Sequence, residues 1–152
     1  MRNLLRSVTG LFVLITFSAS MAHLLELPRK MDLSLADYRT VQQLYRGWAW
    51  LGIFEIGAFI LTLLLVITEG RNKKSFRLLI TSLVCFVIAI IIFFFYTFPA
   101  NRATSNWTEL PANWSALRTR WEYSHAVRAL LYLVGLCSLL LAFVRKNARL
   151  RY

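Results

Sequence analysis

Two groups of ionisable residues lie within apolar stretches of the chain, and each group has helical spacing. His23 and Glu26 are three residues apart, and Glu122, His125 and Arg128 repeat that spacing. Residues three apart share one face of a helix. Ionisable side chains inside a membrane are costly unless they meet partners, and they commonly mark functional sites. An imidazole beside carboxylates can act as acid and base, and an arginine can stabilise developing negative charge.

The composition is typical of a membrane protein. Of the 152 residues, 58% are hydrophobic, whereas soluble domains average about 45–50%. The formal net charge of +11 comes from basic residues in short clusters between apolar runs, which indicates membrane flanks and not a nucleic-acid-binding surface. Cys85 and Cys137 lie inside apolar runs, so we predict buried thiols and no disulfide framework. We expect one membrane domain over residues 1–152 with the lipid bilayer as its partner.

Four apolar runs are each long enough for a bilayer core, which takes about 20 helical residues. Pro28 with the basic pair after it is expected to end the first span, and Pro99 to close the third. Ser20 to Ala22 also fits a signal-peptidase site, but the leucines that follow carry the apolar run onward, so we expect the first helix to be retained. We therefore predict an all-α membrane four-helix bundle with spans near 6–27, 48–68, 76–98 and 122–144.

The segments between the spans also carry signals. Ser34 with Asp37 three residues later predicts a helix start, and the pattern that follows predicts an amphipathic helical extension running without a proline into the second span. Gly47, Gly52 and Gly57 could kink this stretch or admit another helix. The loop before the fourth span is rich in tryptophan, which favours the headgroup region.

The distribution of Lys and Arg predicts the orientation. Ten of them lie at the amino end, in the turn between the second and third spans, and in the tail. Seven lie in the other two loops, where they are less dense. Because cytoplasmic segments carry the excess of basic residues, both termini are expected to be cytoplasmic and both long loops to face outward.

The polar residues of different spans are expected to lie at similar depths. The first and fourth helices run in opposite directions, so both place the carboxylate nearer the outer surface and the imidazole deeper. At about 1.5 Å per residue, His23 and His125 lie roughly 6–7 Å below their helix ends, and Glu55 lies about 13 Å below Arg46. We predict an outer-leaflet pocket built on His23, Glu26, Glu55, Glu122, His125 and Arg128, with Tyr45, Arg46, Asn101, Trp107 and Trp121 near its mouth.

Several interpretations of this pocket remain open. Glu122 or Glu26 can pair with Arg128 or Arg46 in a purely structural network. The two histidines can ligate a haem or a transition metal, or act as acid and base without a cofactor. A di-metal carboxylate site is disfavoured because the third span offers no acid. An ion or proton pathway is disfavoured because the inner half of the bundle has few polar residues.

Six short motifs are spread along nearly the whole chain: His23-Leu24-Leu25-Glu26-Leu27-Pro28, Tyr45-Arg46-Gly47-Trp48, Pro99-Ala100-Asn101, Asn106-Trp107-Thr108, Leu117-Arg118 and Trp121-Glu122-x-x-His125. Together they resemble the anthrone-oxygenase-like family of small four-helix membrane proteins, and in particular its bacterial branch, which is largely of unknown function. From the fungal members, the resemblance implies oxidation of anthrones to anthraquinones with molecular oxygen and without an added organic cofactor. It assigns no catalytic residue in this sequence.

Two functions are expected from these observations. The first is an oxygenase or oxidoreductase acting on a small lipophilic molecule that enters from the membrane, with His125 or His23 as base or metal ligand and Arg128 stabilising negative charge. The second is a non-catalytic accessory or lipid-binding membrane protein whose buried charges lock the bundle.

Overall fold

The computed structural model describes residues 2–69 and 73–148, and within them the chain is helical and contains no strand. Residues 70–72 of the predicted polar turn and residues 149–152 of the predicted basic tail lie outside the described residues. The helices are α1 (Arg2–Asp32), α2 (Leu35–Gln42), α3 (Gly52–Glu69), α4 (Lys73–Ile92), α5 (Phe98–Ala103) and α6 (Trp114–Ala148). Two 3₁₀ turns, Gln43–Tyr45 and Trp48–Leu51, connect α2 to α3, and a π-helical turn, Phe93–Thr97, joins α4 to α5.

Four helical stretches are long and apolar enough to cross a membrane: Arg2–Asp32, Trp48–Thr68, Lys74–Ala103 and Trp114–Arg145. The predicted all-α membrane bundle with four spans is therefore confirmed. We use the term loop end for one end of the bundle. It consists of the end of α1, residues 33–51, residues 104–113 and the start of α6.

The predicted end of the first span at Pro28 is wrong. The helix continues through this proline to Asp32. A proline removes one backbone donor, and tertiary contacts hold the turn that follows it. The guanidinium of Arg118 donates from Nη1 to the carbonyl oxygens of Lys30 (3.4 Å) and Leu33 (2.9 Å). The last turn of α1 is thus capped by a side chain from α6.

The amphipathic extension is present but does not continue into the second span. Ser34 caps α2 as predicted, since its Oγ accepts from the Asp37 amide at 3.2 Å. Gly47 then adopts φ +89°, a left-handed conformation that favours glycine. The helical path is interrupted there, and α2 packs at the loop end through the contact of Tyr38 with Trp107 instead of prolonging α3.

Pro99 does not close the third span either. It stands in the first turn of α5, where a proline leaves no required hydrogen bond unmade. The π-helical turn Phe93–Thr97 precedes it, and the hydroxyls of Thr97 and Ser124 lie 2.7 Å apart. π-Helical turns recur at functional sites, and here three residues of the turn line the cavity described below.

Two apolar clusters hold the bundle. The larger cluster, centred on Leu65, Phe86 and Leu139, joins α1, α3, α4 and α6. The smaller cluster holds the loop end and consists of Tyr38, Ala100, Trp107 and Trp121. The thiol prediction is correct for Cys85, which is buried, and wrong for Cys137, which is exposed on α6. A surface position within a membrane span faces lipid, which a thiol tolerates because it behaves as a small apolar group.

The close approach of α1 to α3 depends on Gly57. A Cβ at this position would overlap the ring of Phe12, which also packs edge-on against Phe54 at 5.2 Å between centroids. Gly57→Ala is expected to lower the free energy of unfolding in detergent by about 1–3 kcal/mol, as overpacking does. Gly52→Ala is the matched control, because a Cβ there meets nothing within 4 Å. Equal stability of the two variants would contradict this account of the α1–α3 contact.

Candidate functional site

The two histidines meet between α1 and α6. The rings of His23 and His125 stack with their centroids 4.2 Å apart and their planes at 30°. The Trp121 ring packs against both, 5.0 Å from His23 and 4.3 Å from His125. Tyr45 and Trp48 add ring contacts to His23 at 4.6 and 5.7 Å. The imidazole pair is therefore held in an aromatic enclosure contributed by three parts of the chain.

A buried ammonium group lies next to this pair on the side of the loop end. Lys30 is 2% exposed, and its Nζ lies 2.8 Å from Glu26 Oε2, 3.8 Å from Glu122 Oε1 and 3.4 Å from His23 Nδ1. It also lies 4.0 Å from the centre of the Tyr45 ring. His23, Glu26 and Lys30 share one helical face, and His23 and Lys30 contact α6 from that face.

Glu122 ties α2 to the bundle. Its side chain is fully buried, and its Oε1 accepts hydrogen bonds from the Tyr38 hydroxyl (3.0 Å) and from Gln42 Nε2 (3.4 Å). Burial, and next the negative charge of Glu122, raise the pKa of the Tyr38 phenol, so Tyr38 keeps the proton that it donates. Tyr45 likewise donates to Glu26. Burial, and next this hydrogen bond, raise the pKa of the Tyr45 phenol.

A second charged group lies deeper in the bundle. Arg128 Nη2 is 2.7 Å from Glu55 Oε2 and donates to the Tyr132 hydroxyl at 3.0 Å, while that hydroxyl donates to Glu55. The guanidinium also lies 5.1 Å from the centre of the Phe93 ring. Its Nε is buried and has no hydrogen-bond partner in the described part of the chain. This ion pair links α3 to α6 and leaves the Nε donor of the guanidinium without a partner among the described residues.

A cavity of about 670 Å³ lies beside the histidines, within the size range of small-molecule sites. Its walls come from α1, residues 42–51, α3, α4, the π-helical turn, α5, residues 105–108 and α6. The predicted residues that line it are His23, Tyr45, Arg46, Glu55, Asn101, Trp107, Trp121, His125 and Arg128.

The remaining predicted residues lie behind this lining. Glu26 and Glu122 do not line the cavity but hold Lys30. The predicted pairing of these acids with Arg128 or Arg46 is therefore wrong, because the extra turn of α1 brings a nearer cation. Arg46 is exposed at the loop end.

Two of the predicted mouth residues hold the aromatic enclosure in place. Asn101 Oδ1 accepts the indole N–H of Trp121 at 2.7 Å. Trp107 packs against Tyr38 at 5.1 Å and against Trp121 at 5.8 Å.

With this geometry established, comparison with known proteins gives one match. The family model described as anthrone oxygenase matches residues 41–138, well over half of the chain. The chain belongs to the anthrone oxygenase family. No curated protein and no solved structure matches it. In this anthrone oxygenase family member the matched range supplies Glu55, His125 and Arg128, whereas His23 and Lys30 come from α1, which precedes that range.

Sequence reasoning missed four residues of the site in this family member, although their spacing was informative. Lys30 is four residues after Glu26 and seven after His23. Tyr132 is four residues after Arg128 and seven after His125. Tyr38 and Gln42 are four residues apart on the amphipathic extension, and both donate to Glu122. Extending the polar stripes by one turn in each helix would have found Lys30 and Tyr132.

The residues of this anthrone oxygenase family member do not fit a haem or a metal held by the two histidines. Two axial imidazoles lie on opposite faces of a porphyrin, but these rings stack at 4.2 Å with no space between them. The ammonium of Lys30 beside His23 Nδ1 opposes a cation at that nitrogen. Among the side chains of residues 2–68 and 74–145, no group of three or more His, Cys, Asp or Glu could hold a metal ion.

Proposed function

We propose that this membrane protein is an oxygenase that uses molecular oxygen to oxidise a small lipophilic, anthrone-like substrate to the corresponding quinone inside the cavity. The observation that carries the proposal is the position of His125. Its ring faces the cavity and stacks on His23. It has no hydrogen-bond partner among the described residues, so its ring nitrogens remain available to a substrate.

The contacts of the two histidines favour His125 as the base. The ammonium of Lys30 can only donate, so its contact with His23 Nδ1 makes that nitrogen an acceptor and leaves the ring proton of a neutral His23 on Nε2. His23 is then a donor toward the cavity. A neutral His125 keeps one nitrogen lone pair that can accept a proton from a bound molecule.

The guanidinium of Arg128 supports the anion formed by proton removal. Loss of a proton from the methylene opposite the carbonyl of an anthrone places negative charge on the carbonyl oxygen, because the central ring becomes aromatic. Arg128 lies one helical turn from His125 and lines the same cavity. Its contacts with Glu55 and Tyr132 fix its position before the reaction, as electrostatic stabilisation of a developing charge requires.

The proposed reaction balances with oxygen as the co-reactant. His125 takes one methylene proton, and the carbanion transfers its electron pair to oxygen as the carbon–oxygen bond forms. The returning proton gives a hydroperoxide. Loss of the second hydrogen and cleavage of the oxygen–oxygen bond then leave a carbonyl and one water. Each methylene therefore consumes one O₂, which is reduced to one quinone oxygen and one water.

This proposal is tested with the purified protein in lipid nanodiscs and anthrone as the probe. We expect quinone absorbance to rise faster than in protein-free nanodiscs, with one O₂ consumed per quinone and one atom of isotopically labelled oxygen in each product. A Val127→Ala protein is the matched control, since this residue follows His125 closely but is 45% exposed on the other side of α6. Quinone formation no faster than in protein-free nanodiscs would contradict the proposal.

The second candidate function is a non-catalytic accessory or lipid-binding protein. The observation that favours it is that Glu26, Glu55 and Glu122 all have cationic or hydroxyl partners, as a network that locks a bundle would have. In that case His125 substitutions change stability alone, and no oxygen consumption accompanies added anthrone.

A further inference from the structure

A separate groove lies on the surface of the bundle between α3 and α4. It is lined by six apolar side chains, three from each helix, and encloses about 330 Å³. Ile56 and Ile90 line both this groove and the cavity that contains the histidines. The polar cavity and the apolar groove are therefore neighbouring spaces that share two side chains as their common wall.

The groove faces the membrane along the spans. Ile56, Ile60, Val87 and Ile91 are each between 39% and 50% exposed, and they lie within segments long and apolar enough to cross a bilayer. From Ile56 to Ile60 the groove extends roughly 6 Å toward the middle of the span, taking 1.5 Å per residue. A hydrocarbon chain lying in it would run parallel to the helices, as lipid chains do.

The opposite side of the cavity has a different character. Arg46, Ser105 and Asn106 line it at the loop end and are exposed. The cavity thus has a polar side toward the loops and an apolar side toward the bilayer. A molecule that is polar at one end and apolar at the other matches this arrangement.

From these observations we propose that the α3–α4 groove is a binding site for the hydrocarbon tail of the substrate, whose aromatic head occupies the cavity next to His125 and Arg128. The proposal rests on the proposed function for the chemistry of the head. It assigns the substrate to tailed aromatic ketones that enter sideways from the bilayer, between α3 and α4. Rotation of Ile56 and Ile90 opens the passage from the groove to the cavity.

The expected gain in affinity is modest for a physical reason. A tail dissolved in lipid is already in apolar surroundings, so its transfer to the groove gains packing contacts and no hydrophobic free energy. About ten carbon–carbon contacts correspond to roughly fivefold in affinity. The groove therefore selects for the shape of the substrate and gives it a route.

Binding of two probes tests this inference without requiring turnover. Anthraquinone and 2-hexylanthraquinone are titrated into nanodiscs at equal mole fraction, and binding is followed by quenching of the tryptophans that line the cavity, Trp48, Trp107 and Trp121. We expect the hexyl compound to bind wild-type protein about fivefold more tightly. Ile60→Trp and Val87→Trp, which fill the groove from either helix at residues that do not line the cavity, should abolish that difference and leave anthraquinone binding unchanged.

Ile67→Trp is the matched control, because Ile67 is 70% exposed on α3 and lines neither space. The inference would be overturned if wild-type protein bound the two probes equally or bound neither. It would also be overturned if the groove variants lost affinity for both probes equally, or if Ile67→Trp lost its preference for the hexyl compound. If the probes bind as expected while anthrone is not oxidised, the groove assignment stands and the proposed oxygenase activity fails.

Discussion

Replacing His125 with asparagine is expected to lower kcat for anthrone oxidation by about 10²- to 10⁴-fold, the usual contribution of a positioned general base. Asparagine keeps a polar side chain of similar size but provides no nitrogen that accepts a proton near neutral pH. His23→Asn should cost less, because His23 is engaged by Lys30 and contributes a hydrogen-bond donor and not the base. The measurement is initial quinone formation at saturating anthrone.

Chemical rescue separates loss of the base from loss of structure. His125→Ala removes the ring from its position between His23 and Trp121 and leaves an imidazole-shaped space beside the cavity. Added imidazole is expected to restore part of the lost rate in His125→Ala. Val127→Ala is expected to keep the wild-type rate, and imidazole should not change it. A His125→Asn protein that keeps more than about a tenth of the wild-type rate would assign proton removal to another group.

The second large effect is expected at Lys30. Its ammonium is the nearest cation to Glu122, a carboxylate with no exposed surface. Lys30→Met would leave that carboxylate buried without its cation, and breaking a buried ion pair in this way costs about 3–5 kcal/mol. The contact with Glu26 adds little to this value, because Glu26 is about half exposed and its pairing is weakened by solvent.

A double variant tests the assignment of this energy. Lys30→Met combined with Glu122→Gln removes both charges, so it should recover more than half of the stability lost in the single variant. Arg29→Met is the matched control, since Arg29 precedes Lys30 on α1 but is exposed. The free energy of unfolding is measured in mixed detergent micelles. A Lys30→Met protein within about 1 kcal/mol of wild type, like an exposed pair, would show that Glu122 is balanced in another way.

Local patterns in the sequence were sufficient for the parts of the fold that depend on local physics. Hydropathy predicted the four spans, and the Ser34–Asp37 spacing predicted the start of α2. Helical periodicity also placed His23 and His125 at matching depths, and the structure brings their rings together. These features follow from residues within a few turns of one another.

The parts that sequence reasoning missed depend on contacts between distant segments. Pro28 is a local signal for a helix end, and the contact that holds the turn beyond it comes from the guanidinium of Arg118, 85 positions after its acceptor Leu33. Which cation pairs with each buried acid depends on how α1 is rotated relative to α6. The sequence of one helix alone does not determine that rotation. The left-handed conformation of Gly47 does not follow from the sequence, because a glycine shows that this conformation is permitted and not that it is used.

The hydrogen bond between Tyr38 and Glu122 joins residues 84 positions apart, and this separation constrains the order of biogenesis. During synthesis α2 leaves the ribosome long before α6 exists, so it cannot settle over the loop end until the final span has been inserted. Until that moment Lys30 lacks the Glu122 carboxylate. In the nascent protein the ammonium group of Lys30 therefore has one acidic partner fewer. It gains that partner, Glu122, when the last helix joins the bundle.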